Sequence, residues 1–356
     1  MRVAFLYNRS SEDPAKVAED EVPSRSPVVA ALRQLGHDVT PIACTLDLAS
    51  ARRRLEQAAP DVVFNRVESL GGSDAMMAAV TLLLDTMGLP YTGCGTAALV
   101  AAADKVATKK RLVEAGLPTP GWITADCGLQ IADCGLHGCS PNPQHEIRNP
   151  KYILKSVYEH ASFQLNDSSV IDHAQPADIA TIVGETSLRF GRPFFAEEFI
   201  DGREFNLSLL GSGPEVMPPA EIDFSAFPAG KPRIVGHGAK WDESSFEFHN
   251  TSRRFDYPAS DKQLLQRLSE MALKCWQLFE LRGYARVDFR CDIDGQPWIL
   301  EINTNPCISP DAGFATAVER AGFTYEEGIG KILDAAMPQN LAKLSSSSSR
   351  QSPAAR

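Results

Sequence analysis

Short apolar runs alternate with helical patterns over the first hundred residues, and this alternation restricts the possible fold more than any other feature of the sequence. Val3–Tyr7, Val39–Ile42 and Val62–Phe64 are predicted to be buried strands, and the segments between them carry apolar residues three and four positions apart. Strands that alternate with helices build parallel sheets. The sequence therefore predicts a small α/β domain at the N-terminus.

Helix start and stop residues support this domain and mark its end. A serine that can act as N-cap precedes Pro27, and Gly36 closes the first predicted helix. A linking helix predicted over residues 104–115 stops at Gly116, and the prolines of the following L-P-T-P-G segment prevent its continuation. We therefore place the N-terminal domain at residues 1–116.

The rest of the chain is organised differently. β-rich runs and one long amphipathic helix, predicted over Asp261–Leu281, indicate an α+β arrangement with a central subdomain at 117–211 and a C-terminal subdomain at 212–338. The central subdomain carries a loop-rich insertion at 124–150, in which the sequence A-D-C-G-L occurs twice. Residues 339–356 are rich in serine and have no apolar pattern to offset the entropy of ordering, so we expect a disordered tail.

Charge and composition restrict the partners. The formal net charge of -10 removes the usual electrostatic basis for nonspecific binding to nucleic acids or anionic membranes. No apolar stretch of about 18 residues occurs, and the N-terminal apolar run is too short for a signal peptide. Five of the eight cysteines are scattered through regular segments, as expected for reduced thiols. We expect a cytoplasmic protein that binds neither nucleic acid nor membranes.

The block R-G-Y-A-R-V-D-F-R-C-D-I-D-G-Q-P-W-I-L-E-I-N-T-N-P, which begins at Arg282, carries the strongest chemical pattern in the chain. It predicts two strands, 285–290 and 297–302, joined by a tight turn at Asp294 and Gly295. The spacing of its acidic residues also imitates a calcium-binding loop. That alternative fails because an arginine occupies the first ligand position and the flanking segments are strands rather than helices.

Alternation along these strands brings polar residues to one face. Arg286 and Asp288 share a face of the first strand, and Glu301 and Asn303 share a face of the second. If the strands are neighbours, Asp288, Glu301 and Asn303 form a cluster of oxygen ligands suited to Mg²⁺ on nucleotide phosphates, with Arg286 beside it to stabilise negative charge. The alternative is the solvated face of an ordinary antiparallel hairpin.

This block resembles the metal-binding signature of ATP-grasp ligases, above all the D-alanine:D-alanine ligases. Further stretches resemble the same family in the same order: G-L-P-Y-T-G-C-G from Gly88, A-D-K-V-A-T-K from Ala103, A-G-L-P-T-P from Ala115, A-E-E-F-I-D-G-R-E-F from Ala196 and A-G-F-T-Y-E-E from Ala321. The resemblance covers roughly residues 1–338. It implies an ATP-grasp fold, in which an N-terminal parallel-sheet α/β domain precedes two ATP-grasp subdomains.

The resemblance also implies an activity. Such an enzyme joins a small carboxylate and a small amine, expected here to be amino acids, through an acyl phosphate made from ATP with Mg²⁺ or Mn²⁺. A homodimer is implied in the same way. The alternative is a noncatalytic or divergent ATP-binding module of the same fold, which the altered phosphate loop favours and the intact set around Arg286 disfavours.

Residue by residue, the resemblance places Lys105 and Lys155 at the nucleotide phosphates, where an ammonium group is a good partner. It places the carboxylate of Glu204 at the ribose. The segment around the adenine, where backbone groups do most of the recognition, is matched by four residues: Glu197, Glu198, Phe199 and Ile200.

The resemblance also implies two loops that cover the phosphates of ATP. Lys240 matches the lysine that a lid loop brings to the γ-phosphate, and Ser162 matches a serine of the phosphate loop, so both join Arg286 as catalytic candidates. The phosphate loop departs from the family because both of its glycines are missing. We expect this loss to bar the left-handed backbone conformations that such loops often use.

The segment that binds the substrates in this family, here residues 307–312, also departs from the family pattern. Cys307 replaces the family's glycine, and Ala312 stands where a serine or lysine receives a carboxylate.

Two other interpretations of the sequence are possible. G-C-G-T-A-A from Gly93 imitates a dinucleotide-binding turn, but the acidic residue expected about twenty positions later lies inside a helix. Three cysteines of the insertion could bind zinc, although they lack C-x-x-C spacing; otherwise they belong to a duplicated surface loop: Cys127, Cys134 and Cys139.

Overall fold

The computed structural model describes residues 1–8, 26–125, 151–158, 162–172 and 175–337. Three sheets organise this part of the chain. The cysteine repeat and the serine-rich end lie outside the described residues, so the zinc site and the disordered tail stay predictions. Within the described residues, no helix is long and apolar enough to cross a membrane.

A parallel three-stranded sheet forms the N-terminal unit, as the alternation predicts. Its strands are β1 (Arg2–Asn8), β2 (Asp38–Cys44) and β3 (Val62–Arg66), in the spatial order β2-β1-β3. The helices of this half are α1 (Pro27–Gln34), α2 (Leu48–Ala58), α3 (Met77–Met87), α4 (Thr96–Ala103) and α5 (Lys105–Glu114). Leu6 and Val63 pack with α2 and α3, whereas Phe5 and Phe64 on the opposite face pack with α1.

A four-stranded antiparallel sheet forms the central unit. Its strands are β4 (Trp122–Thr124), β5 (Tyr152–Ser156), β6 (Val170–Ile171) and β7 (Phe194–Glu198), in the order β4-β7-β5-β6. Helix α6 (Pro176–Phe190) covers one face, because its apolar stripe, which includes Ile179 and Val183, packs on Phe194 and Ala196. Gly191 ends this helix with a left-handed φ of 62°.

A six-stranded antiparallel sheet forms the third unit. Its strands are β8 (Arg203–Gly211), β9 (Glu215–Val216), β10 (Ala220–Ile222), β11 (Arg253–Arg254), β12 (Gly283–Cys291) and β13 (Pro297–Asn303). They lie in the order β11-β10-β8-β12-β13, and β9 pairs with β8. Because β8 belongs to this sheet, the change of sheet comes between β7 and β8, ahead of the expected boundary at 211/212.

The helices of the third unit surround its sheet. They are α7 (His237–Trp241), α8 (Phe246–His249), α9 (Lys262–Leu278), α10 (Gly313–Arg320) and α11 (Tyr325–Asp334). The long helix predicted over 261–281 is confirmed as α9, which ends three residues early because Glu280 takes a left-handed φ of 51°. Its buried face packs on alternate residues of the sheet, among them Val287 and Phe289.

The opposite face of β12 positions the site. At one end of this face, Tyr284 is fully buried against the N-terminal unit and α10. Further along the same face come Arg286 and Asp288. The apolar residues that hold β12 on α9 therefore fix the direction in which these two polar side chains extend.

Candidate active site

Four polar side chains meet on the β12–β13 pair. Arg286 stands opposite Asn303 and Asp288 stands opposite Glu301, and residues directly opposite in an antiparallel pair share one face. Arg286 donates from Nε and Nη2 to the two oxygens of Asp288, at 2.7 and 2.8 Å. The register skips Leu300, so a bulge lies next to the pair formed by Asp288 and Glu301. The adjacency expected from the alternation is confirmed.

Neighbouring elements complete this cluster. Asn206 on β8 donates from Nδ2 to Asp288 Oδ1 at 2.8 Å, and Lys105 Nζ lies 3.5 Å from Glu301 Oε1. Lys105 is buried at the first position of α5, where Asp104 caps the helix by accepting two backbone N–H groups. Burial by itself lowers the pKa of Arg286, but the charges of Asp288 and Glu301 outweigh it and hold this pKa well above its usual range.

Glu197 is the most deeply buried carboxylate near the cleft, with 1% of its side chain exposed. Lys155 pairs with its Oε2, and Lys109 Nζ lies 2.6 Å from its Oε1. Burial by itself raises the pKa of Glu197, but the two ammonium groups hold it below its usual value. The side chain expected near the adenine is therefore part of an internal charge cluster.

Lys109 was missed in the sequence, although it follows Lys105 by one helical turn on α5. It is 1% exposed and donates to Thr119 Oγ1 at 2.8 Å and to the Pro120 carbonyl at 3.0 Å. Desolvation lowers its pKa to about 8, against the opposing pull of Glu197. Lys109 therefore fixes the start of the central unit to α5 and carries part of the charge that balances Glu197.

The backbone of the predicted adenine segment is partly engaged. Glu198 donates its N–H to the Gly121 carbonyl at 2.8 Å, and Phe199 donates its N–H to the Lys151 carbonyl at 2.8 Å. Within the described residues, Ile200 has no such backbone acceptor for its N–H. An adenine ring placed here would therefore meet the N–H of Ile200 rather than those of its two predecessors.

Glu204 lies on β8 and pairs with Arg290 Nη2 at 2.8 Å. Only 12% of the Glu204 side chain and 5% of the Arg290 side chain are exposed. Arg290 also donates to the carbonyl groups of Gly202 and Arg233, so its guanidinium group orients the Glu204 carboxylate from several directions.

The phosphate loop corrects one expectation. Ser162 and Gln164 both adopt left-handed backbone conformations, with φ of 57° and 55°, although neither is glycine. The expectation that losing the glycines bars such conformations was therefore wrong. Hydrogen bonds from Asn166 Nδ2 and Ser169 Oγ to the Gln164 carbonyl help to hold this shape, which costs roughly 1–2 kcal/mol per residue. Glu159, the other match in this loop, lies outside the described residues.

The predicted lid is attached to this loop. Ser162 Oγ donates to the Val235 carbonyl at 3.1 Å, and His237 donates its N–H to the Leu165 carbonyl at 2.8 Å. A Cβ on Gly236 would lie only 2.5 Å from the Leu165 carbonyl oxygen, so this close approach requires glycine. The loop and the lid are therefore joined in this conformation.

Lys240 extends from α7 toward the cluster on β12 and β13. It is solvent-exposed as a residue, yet the walls of the cleft surround it closely enough that desolvation, together with Arg286, lowers its pKa. Glu301 and Asp288 oppose this shift. Lys105 lies near Glu301, Arg286 contacts Asp288, and Lys240 lies within electrostatic range of both carboxylates. Such an arrangement can balance the charge of a polyphosphate.

The donor chemistry at Asp288 and Glu301 fits a hard divalent cation. Within the described residues, no group of three or more His, Cys, Asp or Glu side chains is placed to hold a metal ion, so a metal here needs the amide oxygen of Asn303 as a further donor. Asp288 Oδ2 accepts one hydrogen bond from Arg286, so a second lone pair on this oxygen is available to a metal ion. Oxygen donors of this kind suit Mg²⁺ or Mn²⁺.

The substrate end of the site lies beyond β13. Cys307 is exposed and its Sγ lies 3.3 Å from Ser309 Oγ, while Ala312 is the N-cap residue of α10. As the sequence indicates, Ala312 offers no side-chain donor. The four other cysteines of the described residues are free and buried, in agreement with the expected thiols: Cys44, Cys94, Cys275 and Cys291.

Comparisons with known proteins give consistent matches. The family model described as "D-ala D-ala ligase C-terminus" matches residues 172–334. A D-alanine--D-alanine ligase from Gluconobacter oxydans is 31% identical over 334 residues, covering 92% of this chain and 96% of the relative. Another from Moorella thermoacetica is 29% identical over 338 residues, covering 95% and 99%.

Solved structures match along the same length. The crystal structure of D-alanine--D-alanine ligase from Bacillus anthracis complexed with ATP has a TM-score of 0.64 and 18% sequence identity, covering 97% of this chain and 99% of that one. At this identity the match establishes the fold, with its N-terminal parallel sheet followed by the two antiparallel sheets.

Proposed function

We propose the details of the reaction from one premise, that this chain belongs to the family of D-alanine--D-alanine ligases. It is an ATP-dependent carboxylate–amine ligase with an ATP-grasp fold, and it acts on small amino acids. Which amino acids it joins, and which side chains carry the reaction, are proposals that rest on the geometry of the cleft. We also propose that it works in the cytoplasm, as a homodimer and without a membrane partner.

The observation that carries the proposed mechanism is the shared face of β12 and β13. There Asp288, Glu301 and Asn303 would hold Mg²⁺ or Mn²⁺, which when bound neutralises charge on the phosphates of ATP. Lys105, within 3.5 Å of Glu301, and Lys240 on the lid would contact the phosphates from two sides. Lys155 is proposed to reach a phosphate from its position beside Glu197.

The nucleoside is proposed to lie between β7 and β8. The N–H of Ile200 would meet the adenine, and the carboxylate of Glu204, oriented by Arg290, would accept hydrogen bonds from the ribose. Glu197, Glu198 and Phe199 would shape this pocket through their backbone and their packing. The Glu197 side chain instead forms ion pairs with Lys109 and Lys155.

In the proposed reaction, an oxygen of the first substrate's carboxylate attacks the γ-phosphorus of ATP, and the bond to the β-phosphate oxygen breaks to release ADP. The amine of the second substrate then attacks the acyl phosphate. Arg286 would stabilise the oxyanion of the tetrahedral intermediate. As this intermediate collapses to an amide or peptide bond, phosphate leaves and takes up the proton that the nitrogen loses. Ser162, on the loop that meets the lid, would help to position the phosphate being transferred.

The metal assignment is tested by Glu301→Gln, which keeps the size of the side chain and removes its charge. We expect ADP release in the presence of ATP, Mg²⁺ and a mixture of amino acids to fall by on the order of a hundredfold. Asp294→Asn is the matched control, because this exposed carboxylate lies in the turn of the same hairpin. Unchanged ADP release in Glu301→Gln, measured beside a normal Asp294→Asn, would refute the assignment.

A further inference from the structure

The two arginines of β11 occupy different surroundings. Arg254 donates from Nη2 to Glu221 Oε1 at 2.8 Å, in an ion pair that holds it on the outer side of the sheet. Neighbouring residues of a strand point to opposite faces, so Arg253 extends to the other side, toward the cleft. There it lies against Gly313, the first residue of α10.

Gly313 makes this position possible. A Cβ on Gly313 would lie 3.1 Å from Arg253 Cδ and Cζ and only 2.5 Å from Arg253 Nε. The last distance is closer than real Cβ atoms approach, so a side chain at 313 would push the Arg253 side chain aside. No left-handed φ accounts for this glycine, since its backbone conformation is open to any residue. The absence of a side chain at 313 therefore serves to admit the Arg253 guanidinium group.

The Arg253 guanidinium group has no hydrogen bond or ion pair with any other residue that the structure describes, across 1–8, 26–125, 151–158, 162–172 and 175–337. Its surroundings are also electrostatically unfavourable. Desolvation and the charge of Arg286 lower its pKa, and the carboxylates of Asp311 and Asp288 offset this only in part. Arg253 is nevertheless exposed as a residue, so an anion can reach its guanidinium group from solvent and offset the remaining positive charge.

The location of Arg253 indicates which anion this is. Arg286, whose charge acts on it, is the group proposed to hold the oxyanion during amide formation. Arg253 lies against Gly313, which directly follows Ala312 at the start of α10, so it stands at the substrate end of the cleft. Ala312 there has no side-chain donor to offer.

We infer that Arg253 binds the carboxylate of the amine-bearing substrate, lying against Gly313 on the face of the sheet that carries Arg286. This inference rests on the proposed ligase function and adds a substrate class to it. The second substrate is an amino acid with a free carboxylate, rather than a simple amine or an amino-acid amide. A guanidinium group can form two parallel hydrogen bonds to such a carboxylate, and Ala312 can form none from its side chain.

The test compares an acid with its amide. The wild-type protein is incubated with ATP, Mg²⁺ and a mixture of amino acids, and mass spectrometry identifies the product and thereby the accepting amino acid. The value of kcat/KM is then measured for that amino acid and for its C-terminal amide. In Arg253→Ala we expect kcat/KM for the acid to fall by roughly tenfold to a hundredfold, while the value for the amide changes little.

Two further variants make the result specific. Arg254→Ala removes the neighbouring positive charge from the other face, and we expect it to keep the wild-type ratio of acid to amide. Gly313→Ala displaces the guanidinium group without removing it, so it should lower the same ratio. In the double variant Arg253→Ala/Gly313→Ala, the ratio should be close to that of Arg253→Ala alone, because both changes act on one interaction. If Arg253→Ala fails to fold, the ratio in Gly313→Ala decides.

The outcomes distinguish a failure of the role of Arg253 from a failure of the ligase function. A wild-type ratio of acid to amide in both Arg253→Ala and Gly313→Ala would overturn the role of Arg253 and leave the ligase intact. Absence of ADP and of any ATP-dependent product from the wild-type protein would instead refute the proposed function, and this inference would fall with it.

Discussion

Glu197 is a single carboxylate whose burial has to be balanced by charges from two different elements. Lys109 comes from α5 and Lys155 from β5, and each lies within ion-pairing distance of one Glu197 oxygen. A buried carboxylate that loses a cationic partner keeps the free-energy cost of its desolvation but loses the attraction that offset this cost. The stability of the central unit should therefore depend on each lysine separately.

Replacing Lys109 by methionine tests this dependence. We expect Lys109→Met to lower the free energy of unfolding by about 3 kcal/mol, because Glu197 then keeps only one of its two cationic partners and the contacts to Thr119 and Pro120 are lost. Lys110→Met is the control, since its side chain is exposed on the same helix and the change should stay within about 0.5 kcal/mol. Urea unfolding measures both, and equal midpoints would contradict the role assigned to Lys109.

Sequence reasoning reached some residues of the site and missed others for a physical reason. Arg286 and Asp288 were found because alternation along a strand is a local property, readable from neighbouring positions. Lys109 and Arg253 were missed because their surroundings are set by residues far away in the chain. Nothing near Lys109 in sequence shows that Glu197 will lie against it.

At the scale of elements, local rules predicted the hairpin and the ends of two helices, and failed where contacts with other residues replace an intrinsic preference. Gly36 and Gly116 follow α1 and α5 with left-handed φ of 82° and 70°, as predicted. Ser162 and Gln164 show the opposite case, since the phosphate loop takes left-handed conformations without glycine. No sequence pattern reveals this, because the hydrogen bonds that hold the loop come from residues beyond it.

The end of α2 offers a test of that preference. Ala59 follows this helix with a left-handed φ of 42° and is exposed. We expect Ala59→Gly to raise the free energy of unfolding by about 0.5–1 kcal/mol, because glycine adopts this conformation without a steric cost. Gly191→Ala, at the matching position after α6, should lower it by about 1 kcal/mol. Denaturant unfolding of both variants would refute the explanation if the two shifts had the same sign.

At the scale of the whole molecule, the N-terminal unit shares its core with the end of the chain. Phe5, Phe64 and the buried face of α1 pack in one cluster with Ile329 and Ile332 of α11. The proposed boundary after residue 116 thus separates units in sequence that remain joined in space. The C-terminal helix α11 completes the cluster that α1 forms with this face of the N-terminal sheet.

Removing α11 should therefore unfold more than the C-terminus. A chain that ends at Gly322 lacks Ile329, Ile332 and Leu333, which are each at most 2% exposed. Each such side chain contributes about 1.5–3 kcal/mol, so the total loss approaches the 5–15 kcal/mol that stabilises a typical domain. We expect loss of near-ultraviolet circular dichroism, whereas a chain that ends at Met337 should keep it. A cooperative, wild-type-like melting transition in the shorter chain would contradict this.

The contacts between residues 162–165 and 235–237 join the proposed phosphate loop to the proposed lid, two segments that connect strands of different sheets. In the proposed reaction the two segments would therefore open together, and while closed they would shield the acyl phosphate from hydrolysis. Release of ADP would then require both hydrogen bonds to break.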